Sequence, residues 1–78
     1  MTDKPAELLT FELCENGDEV EIHLNDEGLS NLINYLVRLK KSRDHEHLMT
    51  EEWGGNELTS IKQGSGNTLL QKVTLRHW

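Results

Sequence analysis

Apolar and polar residues alternate over 9–13 and again over 20–24, with Asn16-Gly17 between the two runs. Alternation of period two predicts strands, and an Asn-Gly pair between such runs predicts a tight hairpin turn of type I′. Counting outward from that pair sets Leu13 opposite Val20, Phe11 opposite Ile22 and Leu9 opposite Leu24, all on one side. The other side sets Cys14 against Glu19, Glu12 against Glu21 and Thr10 against His23. One turn sorts both strands, so register and burial agree. Beyond residue 25 the period lengthens. Leu29, Leu32, Ile33, Leu36 and Leu39 form one stripe at helical spacing, which predicts a helix over 26–43. Asn25 or Asp26 is placed to cap it. Asp26 and Glu27 stand at its amino end and Lys40, Lys41 and Arg43 at its carboxyl end, as the helix dipole favours. Leu29, Leu32, Ile33 and Leu36 are expected to pack on the apolar side of the hairpin.

Residues 45–50 read as a short strand and residues 51–55 as a turn around Trp53 and Gly54-Gly55. Residues 57–61 read as a short strand or helical turn, 62–67 as a polar loop, and 68–77 as a last strand with Leu69, Val73 and Leu75 on one side. The order β-β-α-β-β predicts an α+β fold: a small, mostly antiparallel sheet with one helix packed on one face. A single domain over 1–78 is expected, with 1–6 a flexible terminus. One helix covers one sheet face. The opposite face carries Glu12, Glu19, Glu21 and His23, with His45 and His47 beside them, and is expected to be open and acidic. Glu12 opposite Glu21 is a like-charge pair that costs stability, which a cationic partner would relieve.

Charge sharpens this picture. The 78 residues carry a net −6, distributed in blocks. Residues 1–27 hold nine acids and one lysine, 28–43 four cations and no acid, 44–60 five acids, and 61–78 three cations. The first cationic block is accounted for by helix polarity and is weak evidence of a phosphate site. An acidic total argues against general nucleic-acid binding, which needs clustered lysine and arginine. No apolar run reaches the ~18 residues of a membrane span. A single cysteine and the lack of a positive-then-apolar leader set the expectation of a cytoplasmic protein.

Candidate chemistry is sparse. Cys14 and His23 are the nearest nucleophile and base, but the hairpin register separates them by roughly 13 Å along the strand, far beyond hydrogen-bond reach. Glu19 beside Cys14 is expected to keep the thiol protonated. No phosphate-binding glycine loop or nucleophile elbow is present, and no enzyme is expected. His45 and His47 point the same way from a strand and lie roughly 7 Å apart, the best metal candidates. They lack a third and fourth ligand unless His23, His77 or Asp44 converge, so no metal and no cofactor are expected. Trp53 and Trp78 are core plugs or interface anchors. Glu51, Glu52 and Glu57 surround Trp53 and complete the candidate partner-binding set.

The segment 44–58, with His45-x-His47-Leu48-Met49-Thr50-x-x-Trp53-Gly54-Gly55 at its centre, resembles the immunity protein 32 family of bacterial polymorphic toxin systems. The resemblance continues more loosely through Lys62-Gln63-Gly64 to Trp78, and the hairpin and helix match in type and order. Where the family pattern would place proline after the threonine, this chain has Glu51. Membership implies a small protein that binds and neutralises a toxin made beside it, with a cognate toxin domain as partner. An acidic surface suits the basic cleft of a toxin that attacks nucleic acid. The alternative is a small acidic adaptor or regulator that binds another cytoplasmic protein.

Overall fold

A computed structural model describes residues 6–78. The chain runs β1 (Leu9–Leu13), β2 (Val20–Leu24), α1 (Asp26–Lys40), β3 (His45–Met49), a 3-10 turn (Glu51–Trp53), β4 (Thr68–Leu69) and β5 (Lys72–Arg76). The α+β class stands. Strands β2, β1 and β4 form one antiparallel sheet in that order, and β3 pairs antiparallel with β5 in a second. The expected last strand is thus broken at Leu70 and Gln71. Its first half pairs with β1 and its second with β3, because Leu70 donates its N–H to Phe11 while Gln71 accepts from Thr50 on the other side. The expected flexible terminus lies outside the described residues except for Ala6, whose carbonyl accepts from Asn25 Nδ2.

The hairpin register is the one the alternation predicts: Leu9↔Leu24, Phe11↔Ile22 and Leu13↔Val20, with Thr10↔His23 and Glu12↔Glu21 between them. The turn is not. Cys14 accepts from the Gly17 N–H, so Glu15 and Asn16 are the central residues of the turn. Gly17 alone has positive φ, at 79°, whereas type I′ needs two such residues in succession. Asn16 instead accepts from the Asp18 N–H through its side chain. A four-residue loop shares its centre with the two-residue one, which is why the register survives.

Helix α1 begins at its cap, where Asn25 Oδ1 accepts from the Gly28 N–H at 2.9 Å and from the Leu8 N–H at 3.0 Å. It ends at Lys40, three residues short of the predicted end. The core is small: Leu9, Phe11, Leu48 and Leu58 are buried, with Leu24, Leu32, Tyr35, Leu70, Val73 and Leu75 packed around them. Leu32 and Tyr35 are the helix's contribution. The expectation that Leu29, Ile33 and Leu36 also pack inward is corrected, since all three are about half exposed, as are Val20 and Ile22 on β2. The core direction is set by Leu32, Tyr35 and Leu39, and it lies to one side of the predicted stripe. Leu36→Ala is therefore expected to cost about 1 kcal/mol or less, well below the ~2–5 kcal/mol of a fully buried leucine. Urea unfolding checks this.

Candidate partner-binding surface

The expected acidic face is built around Glu12, and its burial is the main correction to the sequence reading. Glu12 is not open to a partner. Its side chain is 0% exposed, beneath the loop 60–67. Thr10 Oγ1 at 2.6 Å and the Gln63 N–H at 2.9 Å donate to Oε2, while the Gly64 N–H at 2.9 Å and Asn67 Nδ2 at 3.0 Å donate to Oε1. Burial by itself would raise the Glu12 pKa. These donors outweigh it and bring the carboxyl down to about 2. A buried anion is tolerated here because both oxygens are saturated by donors.

The like-charge pair is reconciled by the same network. Asn67 Nδ2 also reaches Glu21 Oε1 at 3.1 Å, and His23 Nε2 donates to that oxygen at 2.9 Å while standing 3.9 Å from Glu12. The His23 and Asn67 hydrogen bonds hold the Glu21 carboxyl below its ordinary range. Glu19 is exposed at the hairpin loop. It lies with Cys14 and Glu21 in a corner whose ligand-type atoms are within 4.8 Å of one another. Burial, then Glu19 and Glu21, push the Cys14 thiol up, so this corner keeps it protonated.

His45 and His47 do not extend an acidic face. They lie on the two-stranded sheet, where β3 sets His45 opposite Arg76 and His47 opposite Thr74. Their rings meet edge-on at 4.6 Å. His45 Nδ1 bonds Asp44 at 2.8 Å and His47 Nδ1 shares a hydrogen bond with Thr74 at 3.1 Å. Burial lowers the His47 pKa, and Lys72, His45 and Arg76 lower it further. The neighbouring strand β5 brings the cations Lys72 and Arg76 to this patch.

The turn after β3 gathers exposed acidic and aromatic side chains. Thr50 is fully buried and its hydroxyl donates to Gln71 Oε1. Its carbonyl accepts from both Trp53 and Gly55. Gly54 closes the turn at φ 88°, and Gly55 passes so near Met49 that a Cβ there would stand 2.6 Å from the Met49 Cβ. Two consecutive glycines are thus required for different reasons: the first by its left-handed backbone, the second by close approach. Glu57 is a fastener, since its Oε1 accepts from Met49 N–H at 3.1 Å and Asn56 N–H at 3.3 Å. Glu51 occupies the first helical position, where proline is ordinarily suited, and the 3-10 turn forms without it.

This scaffold leaves Trp53 58% exposed, directly after Glu51 and Glu52, both also exposed. Beside it lies a hollow of about 250 Å³ lined by Glu7, Glu51, Asn56, Leu58, Thr59 and Ser60. Neither tryptophan is a core plug; Trp78 is 87% exposed, its carbonyl held by Arg43. Sequence reasoning missed the hollow, because Glu7 and residues 58–60 meet only through Thr59, which bonds Leu9 and Glu7 across the fold.

The site is thus an exposed indole with two exposed carboxylates beside it, carried on a glycine-closed turn of a small α+β domain. A family model for immunity protein 32 matches residues 19–73, and the chain belongs to that family of immunity proteins. No curated protein and no solved structure matches it. No helix among the described residues is long and apolar enough to cross a membrane.

Proposed function

We propose that this chain neutralises a cognate toxin domain by binding it directly, with Trp53 as anchor and Glu51 and Glu52 as a charged rim. The observation that carries the reading is the exposure of Trp53 on a turn fixed by buried Thr50 and two glycines. An indole of which 58% is left in water, on a turn held by other residues, is free to be buried against a partner. The acidic rim suits a toxin surface that itself binds nucleic acid, since opposite potentials speed encounter and exclude the substrate. Charge reversal belongs at Glu51 and Glu52 rather than at Glu12, whose loss would act through folding.

The test is co-expression with the toxin encoded beside this gene. The chain is expected to protect the cells and to co-elute with the toxin's isolated domain. Glu51→Lys with Glu52→Lys is expected to slow association and flatten its salt dependence while leaving the circular dichroism spectrum intact. Absence of both protection and co-elution would overturn the reading.

A further inference from the structure

Strand β2 lies at the edge of its sheet, with β1 on its other side. Cys14 donates to Glu19 and Asn25 donates to Leu8, and both pairs belong to the β1–β2 register. Counting between them, Glu21 and His23 turn their backbone groups toward β1, whereas Val20, Ile22 and Leu24 turn theirs outward. The outward edge is also apolar on one face: Val20 is 52% and Ile22 48% exposed, on the side that Phe11 shares with the helix. Next to it, α1 leaves Leu29, Ile33, Leu36 and Val37 half exposed. That flank is turned away from β3, which the helix meets through the Arg38–Glu46 ion pair. A core of four buried residues beside six half-exposed aliphatic ones on one strand and one helix is an unfinished interior.

We infer that a second copy of this chain completes it, pairing antiparallel with β2 about a two-fold axis through Ile22. The side-chain sequence selects both the partner and the register. Centred on Ile22, Val20 falls opposite Leu24 of the other copy, and Glu21 falls opposite His23, so every apolar residue meets an apolar one and each acid meets a histidine. Shifting the centre to Glu21 puts two carboxylates face to face, and shifting it to His23 puts two imidazoles together. Shifting by one residue sets apolar against charged throughout. Ile22, at the chosen centre, turns its N–H and C=O away from β1 and toward its own symmetry mate. The result is a six-stranded sheet with both α1 helices on one face, each offering Leu29 and Ile33 to the other. Pairing also removes the exposed edge, a hazard in any sheet. This inference is independent of toxin binding at Trp53, which lies on a different turn.

Sedimentation of the full chain over a range of concentrations is expected to show a monomer–dimer equilibrium. Ile22→Lys, which sets two cations opposite each other, is expected to weaken it by about tenfold or more without changing the fold. Single cysteines in a Cys14→Ser background report the register. Ile22→Cys is expected to yield a covalent dimer with a short thiol-to-thiol cross-linker, its two sites being about 5.5 Å apart. Val20→Cys is expected to yield none, its two sites being roughly 14 Å apart along the strands. A chain monomeric at every concentration, or one that cross-links through Val20→Cys in preference to Ile22→Cys, overturns the proposal. So does an edge protected from amide exchange only when toxin is added, which would assign β2 to the toxin.

Discussion

Glu12→Ala is expected to cost about 3 kcal/mol or more, because it strands donors from Thr10, Gln63, Gly64 and Asn67 in a site closed to water. A chain of this length has roughly 4–12 kcal/mol in total, so the variant is expected to be largely unfolded at modest urea. Glu12→Gln keeps the shape but turns an amide N–H2 toward donors that need an acceptor, and it is expected to lose a smaller part. The same site predicts acid lability with a definite sign. The folded carboxyl titrates near 2 and the unfolded one near 4.5. Its contribution, about 3 kcal/mol by linkage, is fully present above the unfolded value and is lost as pH falls through the folded one. Thermal melts of wild type between pH 6 and pH 2 are expected to show this fall, and Glu12→Gln is expected to lack it. Parallel acid curves for the two proteins would show that Glu12 carries no such coupling.

Trp53→Ala separates folding from binding. The indole is 58% exposed and outside the core, so stability is expected to change by less than about 1 kcal/mol. Affinity for the toxin domain is expected to fall by about 2 kcal/mol or more, roughly thirtyfold, chiefly through faster dissociation. Binding kinetics alongside urea unfolding make the comparison. A folded variant that binds and protects like wild type would remove Trp53 from the interface.

How far the sequence alone reached depended on the range of the interactions. The hairpin pairing was legible because alternation over ten residues constrains register even when the turn differs, as it does at Gly17. The Asn25 cap and the segment from Leu48 to Gly55 were legible for the same reason: spacing within one turn fixes the local geometry. Glu12 was misread as surface because its donors come from a polar loop with no periodicity, 51 to 55 residues downstream. One signal could have located it. A glutamate flanked by Thr10, facing Glu21, needs donors, and Gly64-Ser65-Gly66-Asn67 is a stretch whose backbone can approach closely enough to supply them. The helix was placed correctly but turned wrongly, since its stripe of leucines is wider than the core available to it.

The span between Glu12 and its donors also bears on how the protein is made. Residues 9–40 comprise a hairpin and a helix whose contacts are close in sequence and form early, whereas the carboxylate waits for residues 63, 64 and 67. Until those residues have been made, the Glu12 carboxylate stays hydrated and β1 cannot reach its final packing. Any surface that depends on the closed fold would then be timed by residues 63–67 and not by the hairpin and helix made before them.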